Sequence, residues 1–150
     1  MFKKSFILKF MSLWPPFLGA GIRVKNISDN MRSISVEMKL HFWNQNYVGT
    51  QYGGSLFSMT DPFLMLMLLE NLGSEFIVWD KAATIRFKKP CKGTVHVHFK
   101  LTPERIDEIR EQALNNTKVE PVFTVLVQNS HGETVAEVEK ILYVKRKNRA

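Results

Sequence analysis

The sequence predicts an α+β fold, an antiparallel sheet of six strands wrapped around one long buried helix. Three observations lead there. Residues 54–72 are almost wholly apolar and read as one helix. Six segments carry strand signals and are separated by turn residues. The regular alternation of strand and helix that builds a parallel sheet is absent.

The chain has 150 residues, which suits one domain spanning 1–150 with a sizeable core. Its apolar share of 45% argues against disorder. The formal net charge of +7 favours anionic partners without identifying them. The single cysteine, Cys91, excludes an internal disulfide and any multi-cysteine metal site, and fits a reducing cytoplasm.

Residues 1–18 superficially resemble a leader. However, Lys9 interrupts the apolar run, and Pro15 and Pro16 follow with no A-x-A site. The run is also short of the ~20 apolar residues a membrane span requires. Phe6, Ile7, Phe10, Met11 and Leu13 recur at helical spacing, so this segment is expected to be a short amphipathic helix that packs on the domain and ends before Pro15. Residues 21–27 and 33–40 read as strands. In the second, Ile34, Val36, Met38 and Leu40 alternate with polar residues. Ser28-Asp29-Asn30 is the turn between them.

The central helix opens on a polar, glycine-rich loop. Its apolar residues, among them Leu56, Phe63, Met67 and Leu68, cover every side, so the whole helix should be buried. Pro62 should kink it, and Gly73 should end it. Asp61 is the exception, a carboxylate inside an apolar helix. Its structural alternative is an N-capping or kink-stabilising group, or one on a solvated edge of the helix; the functional one is a catalytic carboxylate in an apolar cleft. Ser58 and Thr60 flank it and are more commonly backbone-bonding residues of a kinked helix.

Residues 76–89 form a long strand with Ile77, Trp79, Ala83, Ile85 and Phe87 assigned to one face. Residues 94–101 alternate cleanly. His96 and His98 fall on the polar face without a third ligand, so no metal is expected. Thr102, Pro103 and Glu104 start a surface helix whose apolar stripe is Ile106, Ile109, Ala113 and Leu114. Residues 119–128 and 134–145 form a hairpin across Asn129-Ser130-His131-Gly132. The basic tail, residues 145–149, and Arg86, Lys88, Lys89 and Lys92 are candidates for holding phosphates. No aromatic-interleaved basic platform suggests nucleic acid, and no glycine-rich nucleotide loop occurs.

Asn46, Gly49, Thr50, Gly53, Gly54 and Asp61 stand in the frame N-x-x-G-T-x-x-G-G-x-x-x-x-x-x-D. With the flanking segments 13–22 and 78–90, this frame resembles the hotdog-fold thioesterases. The likeness is greatest to the small bacterial proteins grouped as DUF4442, more distantly to phenylacetyl-CoA thioesterases. The phenylacetyl-CoA type usually has His before the glycine pair, where this chain has Tyr52.

The resemblance implies hydrolysis of acyl-CoA or acyl-carrier thioesters without a cofactor. It implies a homodimer or tetramer, with the acid of one protomer facing the glycine loop of the other. Asp61 would be general base or nucleophile, the N–H groups of Gly53, Gly54 and Ser55 an oxyanion hole, and Asn46 an orienting group. Gly49, Thr50, Tyr52, Gly53, Ser55 and Ser58 would touch the substrate. A non-catalytic acyl-thioester binder is the alternative. A hydratase or dehydratase is disfavoured because no His lies between His41 and His96. No stable membrane insertion and no nucleic-acid partner are expected.

Overall fold

A computed structural model describes residues 10–147. After a 3-10 turn at Phe10–Leu13 the elements are α1 (Pro15–Ala20), β1 (Ile22–Ile27), β2 (Ser33–Met38), α2 (Gly53–Ser58), α3 (Phe63–Leu72), β3 (Phe76–Phe87), β4 (Val95–Lys100), α4 (Pro103–Asn115), β5 (Val122–Asn129) and β6 (Thr134–Arg146). The strands form one six-stranded antiparallel sheet in the order β1-β2-β4-β5-β6-β3. The α+β architecture read from the pattern is the one observed.

Alternation decides which side chains meet in the core. Ile34, Val36 and Met38 of β2 and Val95, Val97 and Phe99 of β4 are all buried, as period 2 requires of one sheet face. Phe63 of α3 packs between Phe17 of α1 and Phe99 of β4, with ring centroids at 5.9 and 5.1 Å. Thr102 caps α4 by accepting from Arg105 N–H at 3.2 Å.

The structure corrects four expectations. In its described part the N-terminal segment is a 3-10 turn that does end before Pro15, but a second helix, α1, begins there where none was expected. The missing proline N–H costs nothing at a first helical position. Phe6 and Ile7 lie outside the described residues. In α4, Leu114 is exposed, and only Ile106, Ile109 and Ala113 form the stripe.

The central helix is two helices. Thr60 and Asp61 N–H groups bond three residues back, to Phe57 and Ser58 carbonyls at 3.0 and 3.1 Å, tightening the end of α2. Thr60 Oγ1 also donates to Phe57 O at 2.7 Å. Pro62 cannot donate, and α3 starts only beyond it. Nor is the apolar run covered on every side, since Leu69 is exposed and Met65 and Leu66 are half-buried.

The fourth correction concerns β3. Asp80 pairs with Leu142 but Ala82 pairs with Ile141, so Lys81 is an extra residue, a bulge that reverses the parity. Before it, Phe76, Val78 and Asp80 face inward; after it, Ala83, Ile85 and Phe87 lie opposite Lys140, Val138 and Ala136. Ile77 and Trp79 therefore belong to the outer face, where Trp79 stacks on Tyr143 with centroids 4.5 Å apart.

Candidate functional site

The glycine frame and the acid frame fall on two neighbouring structures: a self-bonded loop leading into α2, and the turn between α2 and α3.

Asn46 organises the loop. Its Oδ1 accepts from Val48 and Thr50 N–H at 3.2 and 2.9 Å. Its Nδ2 donates to Thr50 Oγ1 at 2.8 Å and to Gln51 O at 3.4 Å. Gly49 closes the turn, donating to Asn46 O at 3.0 Å with φ of +77°, a conformation that a Cβ would strain. Gln51 is buried and fastens the loop to the sheet, its Nε2 donating to Met38 O at 3.3 Å and Gly93 O at 2.9 Å. Its N–H donates to Cys91 O.

At the start of α2, Ser55 and Leu56 N–H both donate to Tyr52 O at 3.0 Å. Ser55 N–H is thus already engaged and is not the free donor expected of it. Gly53 and Gly54 N–H have no backbone partner among the described residues, as the first positions of a helix should not. Both glycines admit an aromatic ring. A Cβ on Gly53 would stand 2.9 Å from Phe87 Cζ, and one on Gly54 would stand 2.6 Å from Tyr52 Cε1.

Two grooves flank this helix start. One, of about 410 Å³, is bordered by Asn46, Thr50, Gly53, Phe87, Lys88 and Lys89. The other, of about 510 Å³, is bordered by Trp43, Asn46, Tyr47, Tyr52 and Ser55. A further depression of about 550 Å³, between the end of α4 and the basic residues Lys145, Arg146 and Lys147, contains none of the frame residues. Of the basic residues near the first groove, Lys89 pairs with Glu133 at 2.6 Å, and Arg86 and Lys88 approach Glu137 at 3.9 and 4.0 Å.

Asp61 is not in an apolar cleft. Its side chain is 51% exposed on the turn after α2, because the helix has ended before it. Oδ1 accepts from Lys140 Nζ at 2.9 Å. Lys140 itself is only 1% exposed. Its Nζ also reaches Thr60 O at 3.4 Å and stands 2.8 Å from Asp80 Oδ1, an ion-pair contact whose angle falls outside a hydrogen bond. Burial pushes the Asp80 carboxyl above the ordinary carboxylate value; the Lys140 ammonium opposes this and the Asp61 carboxylate adds to it.

The Ser58 and Thr60 hydroxyls do not bond the Asp61 carboxylate. Ser58 Oγ donates to Gly54 O at 2.9 Å, and Thr60 to Phe57 O. Within one chain, Gly54 stands in the first turn of α2 and Asp61 lies seven residues later, on the turn beyond the other end of that helix. His96 and His98 sit on the outer sheet face against Glu37 and Ser35.

Lys140 and Asp80 escaped sequence reasoning. Lys140 had a signal, a charge at the apolar parity of Ala136, Val138, Leu142 and Val144. Asp80 had none, because the bulge that turns it inward lies next to it.

A family profile described as "Domain of unknown function (DUF4442)" matches residues 3–144. No protein with a curated description matches. Among solved structures, a Pseudomonas aeruginosa protein of unknown function, described as a probable thioesterase, is 23% identical with a TM-score of 0.84, covering 95% of both chains. A thioesterase from Haemophilus influenzae is 12% identical with a TM-score of 0.68, over 95% of this chain and 90% of its own. A mutant thioesterase from Pseudomonas aeruginosa is 11% identical with a TM-score of 0.69, over 95% of this chain and 94% of its own. At these identities the likeness is one of fold.

Proposed function

Since this chain belongs to the DUF4442 family and has the hotdog fold, we propose that it hydrolyses acyl thioesters, with acyl-CoA or an acyl-carrier thioester as substrate. The observation that carries this reading is the start of α2. Gly53 and Gly54 present backbone N–H groups without partners among the described residues, beside two grooves that meet at Asn46. Such donors stabilise the oxygen of a thioester carbonyl as negative charge develops on it; one is typically worth about 3 kcal/mol.

Asp61 supplies the other half, as general base on water or as nucleophile. Asn46, with its amide committed to the loop, holds the N–H groups in place and does not itself orient water. Gly49, Thr50 and Tyr52 shape the same loop, and Ser55 borders the aromatic groove. The basic rim at Lys88 and Lys89 suits an anionic end of the substrate, and the groove at Trp43, Tyr47 and Tyr52 its acyl end.

The separation of Gly54 from Asp61 within one chain calls for a homodimer that brings the acid of one protomer to the loop of the other. Two features support it. Strand β3 is a sheet edge 12 residues long, a ready template for edge-to-edge pairing. Leu69, with Met65 and Leu66, leaves an apolar strip of α3 uncovered.

A second reading, a non-catalytic acyl-thioester binder, has its own support, because Asp61 Oδ1 is already engaged by Lys140. Thiol release from a panel of short, long and aromatic acyl-CoAs separates the two. For a hydrolase, wild type turns over at least one substrate and Asp61→Asn loses about 10²-fold or more while still folded. Absence of turnover together with a melting temperature raised by acyl-CoA favours the binder.

A further inference from the structure

Lys140 is a buried cation on a strand face that otherwise presents Ala136, Val138, Leu142 and Val144. Removing an ammonium from water is costly, and replacing a buried ion pair by apolar groups of similar volume is often neutral or stabilising. The fold alone therefore gives no reason for a charge here. The surroundings do. Lys140 Nζ has three N–H groups and three oxygens within 3.4 Å: Asp61 Oδ1, Asp80 Oδ1 and Thr60 O.

Two of those oxygens belong to consecutive residues of the turn between α2 and α3. They lie 79 and 80 residues from Lys140 in the chain. The third comes from the strand whose bulge brings its carboxylate inward. An exposed carboxylate on a surface turn would otherwise sample many rotamers. One oxygen held by a buried ammonium restricts that freedom in a side chain that stays half-exposed.

We propose that Lys140 is a positioning residue for Asp61. Its ammonium fixes the carboxylate and the Thr60 carbonyl together, so that the oxygen of Asp61 that Lys140 does not hold faces the thioester. Asp80 is the counter-charge that keeps the ammonium in place. The assignment rests on the thioesterase reading of Asp61 given above.

Steady-state hydrolysis of the acyl-CoA panel tests it, in wild type, Asp61→Asn, Asp80→Asn, Lys140→Arg and the double variant Lys140→Met/Asp80→Asn. The double variant avoids leaving a buried charge unpaired, and its melting curve confirms that it folds. Positioning predicts that the double variant loses about 30-fold or more in kcat while KM stays within about threefold. It also predicts that Asp80→Asn alone loses much less, and that Lys140→Arg recovers at least about tenfold over the double variant, since a cation is restored. A merely structural role would move melting temperature and KM and give no recovery by Arg.

If Asp61→Asn is inactive while the double variant keeps its kcat within about threefold, the thioesterase reading stands and this inference falls. Equal losses in Asp80→Asn and the double variant transfer the role to Asp80 and also overturn it. Full activity in Asp61→Asn, or no hydrolysis by wild type, overturns both.

Discussion

What a methyl group would meet differs between Gly21 and the two glycines that open α2. At Gly21, φ is +76° and a Cβ would lie 2.8 Å from Asn44 Nδ2, an amide held by Ala20 O at 2.9 Å and Lys39 O at 2.8 Å. Gly21→Ala is expected to cost about 2 kcal/mol, read by urea unfolding. At Gly54 the obstacle is the end of the Tyr52 side chain, which is exposed and can swing away. Helix propensity gains about 1 kcal/mol in the exchange, so Gly54→Ala should stay within about 1 kcal/mol of wild type. Yet it displaces the ring that borders the aromatic groove, and kcat/KM should fall at least about tenfold. A stability loss at Gly54 as large as that at Gly21 would show that the Tyr52 ring is fixed. At Asp80, the raised carboxyl pKa means that the folded chain binds this proton more tightly than the unfolded chain, whose value is near 3.8. Its favourable contribution is complete below that value and is lost as pH rises through the folded value. Asp80→Asn should therefore gain stability relative to wild type as pH rises above the unfolded value of 3.8. A difference in urea midpoints that does not change with pH would refute the perturbation.

Among the elements, the bulge in β3 places Asp80 inward and frees Lys81 outward, where its Nζ meets Glu120 Oε1 at 2.6 Å beside Lys118 at 2.8 Å. The hydrogen bonds from Lys118 and Lys81 lower the Glu120 carboxyl to about 2. A depressed carboxylate contributes above its unfolded value and loses that contribution as pH falls toward the folded one. The stability gap between wild type and Glu120→Gln should thus be present at pH 6 and close between about pH 4.5 and 2, and 1 M salt should narrow it at every pH. A gap that persists at the acid end would refute the arrangement. These elements also show what sequence periodicity conveys. The strands β2 and β4 alternate cleanly, so their buried sets were legible. The same holds for Thr102 and Pro103 at the start of α4 and for the glycine frame at the loop. The interrupted helix was legible only as a kink, because the side-chain bonds of Ser58 and Thr60 that end α2 depend on backbone geometry. The bulge was illegible, since one unpaired residue leaves no compositional mark and reverses every later assignment. Asp61 was noticed for its charge but misplaced, because the helix break that puts it on a turn was read only as a kink.

For the whole molecule, the reading requires two protomers at each site, and this can be tested without a complex structure. Asp61→Asn and Gly54→Ala are each impaired alone. If one protomer supplies the acid and the other the N–H groups, exchange of subunits between them should restore about a quarter of wild-type turnover: half of the dimers are mixed and one of their two sites is intact. No recovery, with exchange verified by mass-tagged chains, would place both groups on one protomer. The ammonium at Lys140 has a consequence for the order in which the chain assembles. It ties the turn at Asp61 to a strand 79 residues later, so the contact closes a long loop and requires the ammonium to be stripped of water. A contact with those two costs is expected to form after the main barrier. The neutral pair Lys140→Met/Asp80→Asn should therefore leave the refolding rate nearly unchanged and express any change in stability in the unfolding limb of the chevron. The residues that hold Asp61 would then act chiefly as a brake on opening the finished structure.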